Sequence, residues 1–179
     1  MFRRNGILRA ARFVASPNFD LRPRRTPVTL LVLHSISLPR GQYGGDAVER
    51  LFTNRLDPAT HPSFGGLDGL RVSSHFLLRR DGELIQFVPL DRRAWHAGAS
   101  RWRARERCND FSIGVELEGT DDSAFTSTQY AGLAELVRAV RTVLPILEIA
   151  AHGDVAPARK SDPGSGFDWR ELLFHLARR

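Results

Sequence analysis

The sequence predicts an α/β fold, a central mixed β-sheet flanked by helices in one domain. Three features carry that expectation. Apolar, β-branched runs have strand length, helical patterns with start signals lie among them, and an Asp-Gly turn interrupts an alternating stretch. At 179 residues and 42% hydrophobic content the chain is large enough to bury a core, so residues 1–179 read as a single domain.

"VTLLVLHS" (28–35) is the first of these runs and reads as a buried strand ending at His34. The next forty residues are rich in Gly and Pro, with one short helix expected around "GDAVERLF". A stretch of that length is either disordered or shapes a site. "SSHFLLRRDGELIQFV" (73–88) predicts a β-hairpin turned by Asp81 and Gly82. "DFSIGVELEG" (110–119) alternates as a strand. It sets Phe111, Ile113, Val115 and Leu117 on one face and Ser112, Gly114, Glu116 and Glu118 on the other. Thr126 and Gln129 form a capping box, with Phe125 and Tyr130 as its hydrophobic staple, for a helix running to Pro145. "PILEIAAH" follows as a strand ending at His152. Asp168 and Glu171 repeat the box for a last helix, stapled by Phe167 and Leu172.

Composition narrows the function classes. No apolar run approaches the roughly 20 residues of a membrane-spanning helix. Arg3, Arg4, Arg9 and Arg12 leave no apolar core for a secretory signal near the N-terminus. Cys108 is the single cysteine and suits a reducing compartment, so a cytoplasmic protein is expected. Net charge is +6, and the densest basic stretch is "RWRARER" (101–107). That stretch is either a nucleic-acid contact or a solvated loop. The scatter of the other arginines, and the lack of helix-turn-helix or zinc-finger spacing, favour the loop and no nucleic-acid partner.

Two predicted strands end in histidine, His34 and His152, and Asp162 follows on a sharp Asp-Pro-Gly bend. Two imidazoles and a carboxylate form a zinc set that leaves one position open for water, although hydrogen-bonded structural histidines fit the same spacing. Glu116 is either a general base or a surface residue beside Glu118. One of the 26 Lys and Arg residues is a lysine, Lys160, two positions before Asp162. A chain that otherwise uses arginine keeps here the compact, rotatable ammonium that suits a developing oxyanion.

Together "TLLVLHSIS", "VSSHFLLRRDGELIQFV", "RAWHAGAS", "RERCNDFSIGVELEGTD" and "HGDVAPARKSDPG" resemble the AmpD-type N-acetylmuramoyl-L-alanine amidases, within the superfamily that includes the peptidoglycan recognition proteins. The resemblance runs through nearly the whole chain, with a core of about 12–176. It implies one zinc ion per chain, held by His34, His152 and Asp162, with Glu116 and Lys160 as catalytic residues. It implies hydrolysis of the bond between N-acetylmuramic acid, preferably its 1,6-anhydro form, and L-alanine, in cytosolic muropeptide recycling. Ser35, Arg71, Trp95 and Arg107 match substrate-binding positions. A monomer acting on a small-molecule muropeptide, with no nucleic acid or membrane partner, is expected. The alternative is a non-catalytic muropeptide-binding module of the same fold, whose usual sign, a missing metal ligand, is absent.

Two departures from the family pattern stand near the site: Ser35 replaces the usual Asn, and Ser63 replaces an aromatic. His75 reads as a packing residue and His96 as one that supports the site or fixes its loop. His61 and His175 carry no functional signal, and Cys108 reads as structural.

Overall fold

Parallel pairing of the longest apolar strands builds the centre of the molecule. The computed structural model describes residues 1–3 and 5–178, with Arg4 and Arg179 outside it. Its strands are Arg12–Phe13 (β1), Phe19–Leu21 (β2), Leu30–Ile36 (β3), Phe76–Leu78 (β4), Leu84–Gln86 (β5), Arg92–Ala94 (β6), Arg101–Trp102 (β7), Arg105–Glu106 (β8), Ser112–Glu118 (β9) and Glu148–Ala151 (β10). The helices are Ala47–Phe52 (α1), Ser127–Arg141 (α2), His152–Val155 (α3) and Trp169–Ala177 (α4). As the sequence predicts, the central sheet is mixed; its six strands run in the order β1-β5-β4-β9-β3-β10. Within it β4, β9, β3 and β10 are parallel, so their carboxyl ends share one edge. Strand β5 is antiparallel to β4, and β1 closes the far side parallel to β5.

Alternation along the strands feeds both faces. Leu31, Leu33, Phe76, Leu78, Ile113, Val115 and Leu117 pack against Leu133, Leu136, Val137 and Val140 of α2 and Leu172 of α4. On the other face Leu77 and Ile85 meet Val48, Leu51 and Phe52 of α1, while Leu30, Val32 and Ala150 meet Cys108, Phe111 and Val155. Every residue of β9 is buried. The surface alternative for Glu116 and Glu118 therefore fails: β9 is a central strand with both faces covered, so its polar alternate positions are enclosed as well. Glu118 is satisfied there, accepting from the backbone N–H groups of Gly44 (2.7 Å) and Arg80 (3.1 Å) and from Arg79 Nη1 (3.3 Å).

Helix starts follow their local chemistry. Thr126 Oγ1 accepts from the Gln129 N–H at 3.1 Å, and Gln129 Oε1 accepts from the Thr126 N–H at 3.0 Å, completing the predicted box. Gln129 Nε2 also donates to the Glu118 carbonyl, fixing the helix start to the sheet. The second box is only half formed. Asp168 Oδ1 accepts from the Arg170 and Glu171 N–H groups, but the Asp168 N–H donates to the Tyr130 hydroxyl, and Glu171 turns to His175 instead. The hairpin turn is longer than Asp81-Gly82 alone, spanning Arg79–Glu83, with Gly82 at φ +95°. A Cβ on Gly82 would meet Thr128 Cγ2 at 2.8 Å.

Residues 101–106 form a small hairpin rather than a loose loop. Arg103 pairs with Glu148, Trp102 Nε1 donates to the same carboxylate, and Arg105 lies 3.7 Å over the Phe111 ring. Its arginines are thus largely spent on the edge of the protein's own sheet. Among the described residues no helix is long and apolar enough to cross a membrane. Arg22, inward from β2, donates to the carbonyls of Leu90, Asn109, Asp110 and Ser112 and binds the N-terminal segment to the core.

Two stability effects follow. Thr126→Ala removes one half of the box and should lower unfolding free energy by about 1 kcal/mol in urea titrations. His75 is buried, with Nδ1 accepting from the Gly114 N–H and Nε2–H donating to the Arg92 carbonyl. Desolvation, aided by the nearby Arg22 charge, holds it far below the ordinary value. The unfolded chain takes up a proton near pH 6.5 that the folded chain refuses, so acidification through that value favours unfolding. Stability of the chelator-treated protein should fall between pH 7.5 and 5.5, by up to about 1.4 kcal/mol per pH unit for this group. A flat profile would contradict the assignment.

Candidate active site

Register places the first two functional side chains. His34 of β3 stands opposite Glu116 of β9, and both belong to the face that α2 leaves free. The strand does not stop at His34; β3 continues for two residues to Ile36. His152 follows β10 directly and opens the short helix α3. The loop after α3 then returns, and the Gly153 N–H donates to the Asp162 carbonyl at 2.9 Å, bringing the Asp162 side chain beside both histidines.

Three atoms converge there. His34 Nδ1 and His152 Nδ1 are 2.9 Å apart, and Asp162 Oδ2 lies 3.2 Å from the first and 3.0 Å from the second. Burial, the largest influence, takes His34 down to about 4 and keeps it neutral. Burial opposes charge on Asp162 too, but the two histidines outweigh it and hold the carboxyl well below its usual range. A neutral imidazole and an ionised carboxylate are the ligand-competent forms. Two imidazole lone pairs facing each other at 2.9 Å repel, and a cation between them reverses the sign. The spacing is also close to the ~3.3 Å between neighbouring donors around tetrahedral zinc with ~2.0 Å bonds. The donor set therefore fits zinc. Among the described residues it is the grouping of His, Cys and carboxylate side chains able to hold a metal.

Glu116 is 8% exposed, and its carboxyl is pushed well above the ordinary value, first by burial and then by the Asp162 charge, with Lys160 pulling the other way. Lys160 is exposed and reaches the same cleft. The cleft holds about 440 Å³. Its lining combines apolar Leu38, Leu51, Phe52, Leu67 and Val72 with His34, Glu116, His152 and Asp162.

Of the predicted binding residues, Ser35 and Trp95 line this cleft. The Ser35 hydroxyl is already engaged, donating to Asp121 Oδ1 at 2.9 Å. Arg71 is exposed and lies outside the lining. Arg107 borders a second cleft beside Arg101 and Arg159, with Asp110 3.4 Å away. Sequence reasoning overlooked Asp121, whose carboxylate accepts from both Ser35 and Ser161 and so ties the end of β3 to the loop carrying Lys160 and Asp162. It also overlooked Asn109, although "RERCNDFS" contains it. Asn109 Oδ1 accepts from the N–H groups of His96 (3.2 Å) and Ala97 (2.8 Å) behind the histidines.

The sequence and fold are similar to those of known proteins. The profile of the N-acetylmuramoyl-L-alanine amidase family matches residues 24–165. The 1,6-anhydro-N-acetylmuramyl-L-alanine amidase AmpD of Escherichia coli (strain K12) is 53% identical over 171 residues, covering 94% of this chain and 93% of that protein. A crystal structure of an Se-Met AmpD derivative aligns with a TM-score of 0.93 at 50% identity, over 98% of this chain and 99% of that one. The amidase AmiD from E. coli, in complex with the substrate anhydro-N-acetylmuramic acid-L-Ala-D-gamma-Glu-L-Lys, aligns with a TM-score of 0.60 at 29% identity, over 86% of this chain and 60% of that one.

Proposed function

The chain belongs to the N-acetylmuramoyl-L-alanine amidase family, and from that membership we propose that it hydrolyses the amide between 1,6-anhydro-N-acetylmuramic acid and the L-alanine of a stem peptide, in muropeptide recycling. One observation carries the mechanism: His34, His152 and Asp162 converge in a cleft whose lining also holds Glu116. The three would hold a single zinc ion within one amidase domain. Bound there, zinc supplies Lewis acidity, lowering the pKa of water toward ~7 and polarising the scissile carbonyl.

The protein's own groups do the rest. Glu116 accepts a proton from the attacking water as its oxygen bonds to the carbonyl carbon. The Lys160 ammonium faces the carbonyl oxygen as it gains negative charge. Glu116 then passes its proton to the alanine nitrogen as the C–N bond breaks, releasing a lactyl carboxylate and a free peptide amine. Burial suits Glu116 to this cycle, because a carboxyl with raised proton affinity holds the proton between the two transfers.

Trp95 and Ser35 are assigned to the sugar-facing wall. Arg71 and Arg107, both outside the lining of this cleft, are assigned to the carboxylates of the stem peptide, for which guanidinium offers bidentate contacts. Action as a cytoplasmic monomer, without nucleic-acid or membrane partners, belongs to the same reading. Its support is the self-engaged arginine hairpin and the buried, unpaired Cys108. The complete ligand set weighs against a module that only binds.

Zinc-loaded protein incubated with 1,6-anhydro-N-acetylmuramyl tripeptide should release free tripeptide by mass spectrometry, stop with chelator and resume with zinc. Glu116→Gln should lower kcat by about 10²- to 10⁴-fold. Lys160→Ala should lower it by about 10²- to 10³-fold. Binding without release in the wild type would transfer the assignment to a recognition module.

A further inference from the structure

Each metal-facing histidine has a second ring nitrogen, and its partner decides which tautomer the ring adopts. For His152 the choice is local. Nδ1 faces Asp162 and the metal position, and Nε2 lies 3.3 Å from the Ala97 carbonyl, which can only accept; with a cation on the Nδ1 side the proton sits on Nε2 and Nδ1 gives its lone pair to the metal. For His34 the choice is ambiguous nearby. Nε2 lies 3.0 Å from His96 Nδ1, and either imidazole could donate.

The ambiguity disappears one step outward. His96 Nε2 is 3.2 Å from Ser112 Oγ, and that hydroxyl lies 2.6 Å from the Cys108 carbonyl. A hydroxyl has one proton and a carbonyl has none, so Ser112 donates to Cys108 and accepts from His96 Nε2–H. Neutral His96 is left with a bare Nδ1, which accepts from His34 Nε2–H. His34 Nδ1 is then bare, facing Asp162. A single peptide carbonyl three groups away thus sets the direction of the whole chain of bonds.

Two further features are built around it. The His96 ring lies against β9 where the strand has no side chain: a Cβ on Gly114 would stand 2.5 Å from His96 Cγ. Asn109 Oδ1 grips the backbone N–H groups of His96 and Ala97, the two residues that hold the outer nitrogens of His34 and His152. One amide side chain therefore positions the supports of both rings.

We propose that His96, Ser112 and Asn109 are positioning residues that fix both candidate zinc ligands in the Nε2–H tautomer and present Nδ1 to the metal. This rests on the amidase reading of the site. Ser112 and Asn109 lie outside the cleft lining, and His96 borders it without an assigned substrate contact, so their effect is on metal retention before turnover.

Ring ¹⁵N correlation spectra of the zinc-loaded protein should show His96 protonated on Nε2, with His34 and His152 metal-bound through Nδ1. Competition against a chromophoric chelator should show Ser112→Ala and His96→Phe weakening zinc binding by about 10- to 100-fold. Ser112→Thr, which keeps the hydroxyl, should stay near the wild type. At saturating zinc, KM for the muropeptide should be unchanged in Ser112→Ala. Thermal melts of the metal-free variants identify any that fail to fold, and the wild-type spectrum needs no variant. His96 protonated on Nδ1, or wild-type zinc affinity in folded Ser112→Ala and His96→Phe, would overturn the proposal and leave the amidase reading standing. Tautomers and affinities as expected, without peptide release from the wild type, would support the positioning role and sink the amidase reading.

Discussion

The parallel register of β3 and β9, which sets His34 beside Glu116, is the constraint on which both core and site depend. Side chains on a strand alternate between faces, so a slip of β3 by one residue would send Leu31 and Leu33 away from α2 and expose the helix face they cover. The same slip would carry one of the two functional side chains to the wrong side of the sheet. Selection for a buried core and selection for the His34–Glu116 pair therefore act on one alignment. The hydrophobic face is what keeps two polar groups adjacent on the other.

The enclosed polar groups of β9 are treated differently along its length. Glu118 is satisfied by backbone amides and Arg79, and it holds the α1 region against the sheet. Glu116, two residues earlier on the same face, has no such partners among the described residues and opens onto the cleft. A buried carboxyl left without donors is costly unless something else uses it, whereas a satisfied one is part of the scaffold. The contrast separates the unpartnered glutamate from the structural one more clearly than spacing does.

Much of this was legible in the residues themselves. The capping box at Thr126 and Gln129, the Asp-Gly hairpin and the apolar runs ending near His34 and His152 are local signals, and local signals survive folding. Long-range pairing is silent in sequence. Strands of two or three residues, such as β1 on β5 and β2 on β6, exist because the sheet edge is there to receive them. The Glu171 half of the second box was lost because Tyr130, 38 positions away from Asp168, offered the backbone N–H a better partner. Asp121 and Asn109 were missed for the same reason. An acid or amide in a loop looks ordinary until the fold shows which hydroxyls and N–H groups reach it.

The sheet order has a further consequence. Among the described residues β10 is an outer strand paired with β3 alone, and beside it the 101–106 hairpin gives the side chains of Trp102 and Arg103 to Glu148 at its start. Of the three converging side chains, His152 directly follows β10, Asp162 returns to it on the loop after α3, and His34 sits on β3. A cation held by the three would rivet that border strand to its neighbour at the end where the chain leaves the sheet. In the proposed zinc enzyme the ion would therefore carry part of the sheet's integrity as well as its chemistry, and its removal would loosen the molecule first at that border.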